Sequence, residues 1–155
     1  MTDQPPTNIR VLLVDSSPIS RKLMSKLLRK KGYEVAGAAC GEEALERLQE
    51  EYFHVVITGL VLEGISGSEL CRAVRSLELT RYTYIIVLSG KGSIKDVTTA
   101  IESGADEFMN KPIITPLLFA RLELAQRIID LEAKLKLVEM QSQDLLMKDA
   151  LTEVY

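Results

Sequence analysis

The sequence of 155 residues contains no tryptophan, one histidine and two cysteines, and only 5% of its residues are aromatic. Because His54 is the single histidine, a zinc site built from clustered His and Cys ligands is excluded. Two cysteines, Cys40 and Cys71, are too few for a disulfide framework. We expect both to stay reduced in a cytoplasmic protein.

The sequence also lacks a long apolar run and an excess of positive charge. Without a run of 18 apolar residues, no membrane-spanning helix is expected, and the polar N-terminus does not resemble a signal peptide. A net charge of −3 argues against non-specific nucleic-acid binding, which usually needs a basic face. The 46% of hydrophobic and 26% of charged residues suit an ordinary globular core, and the length indicates one domain plus an appendage.

Short β-branched runs alternate with helical patterns along most of the chain, which implies an α/β fold with a parallel sheet covered on both faces. Strands are predicted at 9–14, 33–38, 55–58, 84–89 and 106–109, and helices at 18–31, 41–50, 67–76, 94–103 and from about 115. Ser17 suits the N-cap of the first helix and Gly32 its C-cap. The apolar face predicted for this helix consists of Ile19, Leu23, Leu27 and Leu28.

Ligands of such sheets bind beyond the carboxyl ends of the strands. The predicted strands place five residues of interest at that edge: Asp15, Ser16, Gly59, Ser89 and Lys111.

The order of these segments resembles the receiver domain of two-component response regulators, a flavodoxin-like (βα)5 doubly wound parallel sheet. Six segments carry the resemblance in the family's order and spacing, at residues 11–18, 41–45, 64–67, 87–89, 104–108 and 111–112. Each segment alone is weak, and together they are specific.

The resemblance implies a degenerate phosphorylation site. In the family, an acidic pair after the first strand and an aspartate after the third hold Mg²⁺, and that aspartate accepts a phosphoryl group. Gly59 stands at the acceptor position and Ser16 at the second acid. Asp15, Ser89 and Lys111 keep the first acid, the hydroxyl and the lysine. We therefore expect weak or absent Mg²⁺ binding, no cofactor and no phosphorylation at Gly59.

Other positions follow the family in part. Phe108 keeps the aromatic ring of the fifth strand without its phenol, Pro112 stands where the family has a cis bond, and Glu63 replaces the usual proline. Because the acceptor carboxylate is missing, we predict that Lys111 pairs with Asp15, directly or through water.

Three hypotheses for the function remain open. The first is a phosphorylation-independent pseudo-receiver. The second is a phosphorylatable receiver seen as an Asp→Gly variant, against which the further changes at Ser16 and Glu63 argue. The third is a pseudo-receiver that binds a small ligand or a protein partner. A substitute acceptor at Thr58, Ser16 or Glu63 would have no identified base or metal.

The last predicted helix carries a 4-3 repeat of apolar residues, typical of a coiled coil. We call these residues the seam: Leu124, Ile128, Leu131, Leu135, Val138 and Leu145. The polar Ser142 occupies the a position between the last two. With Ile128 at position a, Arg127 and Lys134 occupy g positions and Glu132 and Glu139 occupy e positions. These opposite charges favour a parallel homodimer, although each exposed pair adds little energy. The alternative is a stripe that packs back onto its own domain.

Residues 149–155 resemble the opening of a GGDEF domain. Asp149, Leu151 and Thr152 match, whereas Glu153 replaces the usual glycine; an ordinary polar helix end is the alternative. The resemblance implies that the chain, not itself an enzyme, is the regulatory part of a diguanylate cyclase that makes cyclic di-GMP.

The predicted organisation has four parts: a flexible N-terminus at 1–8, a receiver at 9–123, a coiled-coil stalk at 124–148 and the start of a GGDEF domain at 149–155. The expected partners are a second copy of the chain and an upstream histidine kinase or regulatory protein. We expect no nucleic acid or membrane as partner.

Overall fold

The computed structural model describes the backbone of residues 8–153 and the side chains of residues 8–145. Strands and helices alternate along it. The strands are β1 (Arg10–Val14), β2 (Glu34–Ala38), β3 (Val55–Gly59), β4 (Tyr84–Ser89) and β5 (Glu107–Asn110). The helices are α1 (Pro18–Lys31), α2 (Gly41–Glu50), α3 (Gly67–Ser76), α4 (Ile94–Glu102) and α5 (Thr115–Glu153).

The five strands form one parallel sheet in the order β2-β1-β3-β4-β5, which confirms the predicted flavodoxin-like α/β fold with a long C-terminal helix. The strand order reverses between β1 and β3. Val14 at the end of β1 pairs with Thr58 of β3, and Thr58 pairs with Val87 of β4. The carboxyl ends of these strands therefore lie side by side, at the point where ligands of such sheets bind.

Two hydrophobic cores lie on the two faces of the sheet. Leu13 and Val11 of β1 belong to the core that also contains Leu118 of α5. Leu12 and Val14 belong to the other core, with residues of α2 and α3. This alternation follows from the strand geometry, in which successive side chains point to opposite faces.

The predicted apolar face of α1 is wrong for two of its residues. The side chains of Ile19 and Leu23 are 74% and 65% exposed, whereas Leu28 is fully buried and Leu27 half-buried. The face of α1 that packs on the sheet contains Ser25 and Leu28, so Ile19 and Leu23 in the first two turns of the helix remain exposed to solvent. The predicted caps are confirmed: Ser17 accepts a hydrogen bond from Ser20 N–H, and Gly32 has a φ of 110°.

Three strands, β1, β2 and β5, begin one residue later than predicted. Tyr33 N–H donates to the Leu28 carbonyl and so completes the end of α1, and β2 begins at Glu34. Asp106 precedes β5, which begins at Glu107. Its carboxylate accepts a hydrogen bond from Ile85 N–H of β4 at 2.8 Å.

Helix α5 packs on the domain for its first four turns and then leaves it. Leu118, Leu122, Ala125 and Ile129 are buried in the core, so the predicted stalk at 124–148 begins while the helix is still packed. The helix continues to Glu153, a length of about 58 Å at ~1.5 Å per residue.

Parts of the predicted organisation fall outside the described residues. These are residues 1–7 of the expected flexible N-terminus, residues 154–155, and the side chains on which the GGDEF resemblance depends. Within residues 8–153, no helix combines the length and the apolar character that crossing a bilayer requires.

Candidate functional site

The predicted site residues gather at the carboxyl edge of the sheet. Asp15 follows β1, Gly59 ends β3 and Ser89 ends β4. Lys111 follows β5, and its backbone N–H donates to the Ser89 carbonyl at 2.7 Å. The Lys111–Pro112 peptide bond is cis, as the resemblance implied.

A cavity of about 450 Å³, called the edge cavity below, opens between the strand ends and α1. Asp15, Gly59 and Lys111 all line it. Its apolar lining on α1 consists of Leu23, Met24 and Leu27. The structure thus brings three of the predicted polar-site positions to one concave surface with an apolar wall.

Asp15 is held by local hydrogen bonds. Its Oδ1 accepts from Ser17 N–H at 2.9 Å, which shapes the turn that leads into α1. Its carbonyl accepts from Nη1 of Arg21 at 2.6 Å. Arg21 was missed in the sequence, because nothing in the spacing of a helical arginine indicates a contact with the preceding turn.

The predicted pairing of Lys111 with Asp15 is not formed directly, and their pairing through water stays a prediction. Among residues 8–145, the Lys111 ammonium forms no ion pair. The prediction assumed a semi-buried lysine, whereas Lys111 is exposed. Water can solvate an exposed ammonium, so no desolvation cost forces it to pair.

Gly59 leaves room for a side chain. A Cβ atom there would lie 3.4 Å from the Val61 carbonyl oxygen and 3.5 Å from Leu62 Cδ2, which are ordinary contacts. Thr58 Oγ1 donates to the Gly59 carbonyl at 3.0 Å. Packing therefore does not exclude a Cβ atom at this position.

The other predicted site residues, Ser16, Ser89 and Phe108, contact loops at the carboxyl edge of the sheet. Ser16 Oγ accepts from Glu63 N–H at 2.9 Å and so joins the β3–α3 loop to the end of β1. The buried Ser89 Oγ accepts from Lys91 N–H at 3.3 Å. The half-buried ring of Phe108 lies so close to Gly92 that a Cβ atom at Gly92 would collide with it.

These residues do not fit a Mg²⁺ site. Mg²⁺ prefers octahedral coordination by carboxylate and water oxygens. Asp15 supplies the one carboxylate in the lining of the edge cavity. In the described part of the chain, no group of three or more His, Cys, Asp or Glu side chains is placed to hold a metal ion.

Beyond Ile128, which packs against the core, the seam lies on the side of α5 that faces away from the domain. At about 100° per residue, the seam positions fall between about 100° and 180° around the helix axis from the buried Ile129. Leu124 and Ile128 are half-buried. Four seam side chains beyond them are between 55% and 63% exposed: Leu131, Leu135, Val138 and Leu145. These four do not pack back onto their own domain.

A hydrogen-bonded network at the opposite, amino edge of the sheet was not predicted. The guanidinium of Arg75 donates to the Gly104 carbonyl at 3.0 Å, to the Thr83 carbonyl at 2.7 Å and to the Asp106 carboxylate at 2.7 Å. Tyr82 donates its hydroxyl to the same carboxylate. Burial, and then this hydrogen bond, raise the pKa of Tyr82 above its ordinary value.

The comparison with protein families matches the family described as the response regulator receiver domain over residues 11–123. Among curated proteins, the transcriptional regulatory protein TrcR of Mycobacterium tuberculosis is 35% identical over 114 residues, or 74% of this chain and 44% of TrcR. The transcriptional regulatory protein AfsQ1 of Streptomyces coelicolor is 33% identical over 117 residues, or 76% of this chain and 51% of AfsQ1. The chain spans about half the length of these relatives.

Solved structures show the same similarity. The chemotaxis response regulator CheY4 of Vibrio cholerae superposes with a TM-score of 0.71 at 32% identity, over 77% of this chain and 99% of CheY4. A protein described as a response regulator from Chloroflexus aurantiacus superposes with a TM-score of 0.72 at 32% identity, over 77% of this chain and 98% of its own. The family match ends at residue 123, before the exposed part of α5.

Proposed function

The chain belongs to the response regulator receiver domain family, and from that premise we propose that it is a receiver that works without phosphorylation at the usual position. On this proposal, the chain dimerises through α5 and thereby controls a GGDEF diguanylate cyclase domain that makes cyclic di-GMP. The chain itself regulates and does not catalyse.

The composition of the edge cavity supports the absence of phosphorylation. Phosphoryl transfer to a receiver needs a carboxylate that attacks the phosphorus and a cation that neutralises the developing charge. Gly59 supplies no carboxylate, and Asp15 alone is a poor ligand set for Mg²⁺. The exposed Lys111 keeps one positive charge at the edge but accepts no phosphoryl group.

The observation that carries the proposal is the exposed apolar seam on α5. A helix that projects from a small domain with a regular apolar stripe gains stability when a second helix covers that stripe. The charged residues beside the seam, Arg127 and Lys134 on one side and Glu132 and Glu139 on the other, would attract each other in a parallel dimer.

The identity of the output domain is proposed from the end of the sequence. Asp149, Leu151 and Thr152 match the opening of a GGDEF domain, and they directly follow the stalk in the sequence. The curated relatives are named as transcriptional regulators, but the chain spans only about half their length. We further propose that the protein is cytoplasmic and receives its signal from an upstream histidine kinase or regulatory protein.

A second candidate function is a phosphorylatable receiver in which Gly59 replaces a native aspartate. The retained Asp15, Ser89 and Lys111 favour it, together with the room at Gly59 for a Cβ atom. On this alternative, the Gly59→Asp variant gains a phosphoryl group from acetyl phosphate and changes its assembly state when it does.

Light scattering of the whole chain tests the proposed dimer. We expect twice the monomer mass of 17.3 kDa, unchanged by acetyl phosphate and Mg²⁺. The double variant Leu131→Lys with Val138→Lys should be monomeric, because two lysines in an apolar seam would be buried without partners.

A matched pair of substitutions off the seam provides the control. Leu137 and Met140 are 56% and 57% exposed but lie on the other side of α5. Leu137→Lys with Met140→Lys should remain dimeric. A monomeric wild type, or equal loss of the dimer in both double variants, would contradict the proposal.

A further inference from the structure

A second cavity, called the groove below, has a volume of about 510 Å³ and lies between α5 and the loop that joins α3 to β4. Its apolar walls include Leu77 and Leu79 of the loop and Ile129, Ala133 and Leu137 of α5. The volume and the apolar walls fit the usual range of small-molecule sites. The groove is at the amino edge of the sheet, so it is separate from the edge cavity.

Two parts of the molecule meet across the groove. Its loop wall belongs to the receiver domain, whereas its α5 wall belongs to the segment where the helix leaves the domain. Lys136 Nζ on α5 donates to the Thr80 carbonyl of the loop at 2.9 Å, the one hydrogen bond found between this part of α5 and the loop within residues 8–145. A molecule in the groove would touch both parts at once.

Two cationic side chains with free donor capacity, Arg81 and Lys136, line the groove. The exposed Arg81 guanidinium lies 4.4 Å from the centre of the Tyr52 ring, and within residues 8–145 it forms neither a hydrogen bond nor an ion pair. Its planar set of N–H donors matches a carboxylate. Lys136 adds a second cation with donors to spare beyond the bond to Thr80.

The other charged residues of the lining differ from Arg81. Arg75 is already occupied by the Asp106 carboxylate and by backbone carbonyls. Glu132 contributes a carboxylate to the lining, and its charge acts on Tyr82. An anion is therefore favoured beside Arg81 and Lys136 and opposed near Glu132.

We propose that the groove binds a small amphipathic carboxylate, with its carboxylate on Arg81 and Lys136 and its apolar body between the loop and α5. The bound molecule joins the receiver domain to the base of the stalk and restricts the motion of one against the other. This inference does not depend on dimerisation or on the absence of phosphorylation, because binding is measured directly on the chain.

Nuclear magnetic resonance of the ¹⁵N-labelled whole chain tests the inference, with sodium decanoate below its micelle concentration as the probe. We expect saturable shift changes confined to residues 74–83 and 129–140. Decanol, which has the same body without the charge, should bind at least about tenfold more weakly, as expected for the loss of a charge-assisted hydrogen bond.

Charge-changing variants locate the carboxylate. Arg81→Gln should weaken decanoate binding about tenfold, and Glu132→Gln should strengthen it a few-fold. Arg72→Gln removes an exposed arginine of α3 outside the groove and should leave binding unchanged. Ala133→Trp should fill the groove and abolish binding, while its far-ultraviolet circular dichroism remains that of the wild type.

Several results would overturn the inference. They are the absence of saturable shifts, shifts centred on Lys111 and the edge cavity, equal binding of decanol and decanoate, and equal effects of Arg81→Gln and Arg72→Gln. The proposed restriction of α5 is tested by amide hydrogen exchange of residues 129–140, which decanoate should slow. Unchanged exchange at saturation would contradict that restriction.

Discussion

Gly59 and Gly67 lie against each other at the carboxyl edge of the sheet, but the structure requires glycine only at the second. A Cβ atom at Gly67 would collide with the Gly59 carbonyl oxygen, because the first turn of α3 approaches the end of β3 closely. A Cβ atom at Gly59 makes only ordinary contacts. Packing therefore excludes a Cβ atom at Gly67 but not at Gly59.

The same substitution at the two glycines should have different effects. Gly59→Ala should change the free energy of unfolding by less than about 1 kcal/mol, whereas Gly67→Ala should lower it by about 1–3 kcal/mol through overcrowding. Urea denaturation followed by circular dichroism measures both values. A loss at Gly59 as large as that at Gly67 would contradict the view that the edge has room for a side chain.

His54 connects stability to pH at the amino edge of the sheet. Its Nδ1 accepts from Arg10 N–H at 3.0 Å, which requires the neutral ring. Burial lowers the pKa of His54, and the charges of Arg81 and Arg10 lower it further, against smaller opposite effects of Asp130 and Glu34. The folded protein therefore binds this proton less tightly than the unfolded chain does.

The sign of the pH effect follows from linkage. The stability that neutral His54 provides is complete above its ordinary pKa of about 6.5 and is lost as the pH falls toward the lower folded pKa. The urea concentration at the midpoint of unfolding should decrease as the pH is lowered from 7.5 to 5.5. His54→Asn keeps an acceptor near Arg10 and takes up no proton, so its midpoint should vary less over this interval. Identical slopes for both proteins would show that other groups cause the change.

The order and type of most helices and strands could be predicted from the sequence, because caps and alternation are local signals. Ser17 and Gly32 bound α1 as their backbone preferences require. Which residues of a helix are buried is less predictable. Ile19 and Leu23 belong to the apolar stripe of α1 but are exposed, because the part of the stripe that is covered depends on how neighbouring elements pack against α1. The edge residues were predictable because parallel strands end together, whereas the cavities depend on packing across distant segments.

The Arg75 network is an element-level feature that sequence analysis could not find. Its residues come from α3, from the loop before β4 and from the residue before β5, and no spacing rule relates them. Together they fix the loop that forms one wall of the groove. Since the Arg75 and Asp106 side chains are 26% and 20% exposed, their ion pair is protected from most solvent screening.

Removal of the Arg75 guanidinium should be costly. Arg75→Ala leaves the Asp106 carboxylate and two carbonyls with fewer donors and should lower the free energy of unfolding by about 2–4 kcal/mol. Arg72→Ala, on the exposed side of the same helix, should cost less than about 0.5 kcal/mol. Chemical denaturation of both variants measures the difference, and similar costs would show that the network contributes little to stability.

At the scale of the whole molecule, we propose different roles for the two ends of the sheet. At the carboxyl edge, Gly59 carries no carboxylate and Asp15 supplies the one carboxylate in the lining of the edge cavity, so on our proposal no phosphoryl group is accepted there. The amino edge holds the groove, the Arg75 network and the point where α5 leaves the domain. The proposed signal therefore depends on assembly through the stalk and on contacts at its base, not on chemistry at Gly59.

Intact-mass spectrometry after incubation with acetyl phosphate and Mg²⁺ tests this central claim most directly. A receiver that has an acceptor aspartate, treated in the same tube, shows that the reagent is active. The account predicts that the control gains one phosphoryl group and that the mass of this chain does not change. The addition of a phosphoryl group to the wild-type chain would reveal a substitute acceptor and contradict a phosphorylation-independent receiver.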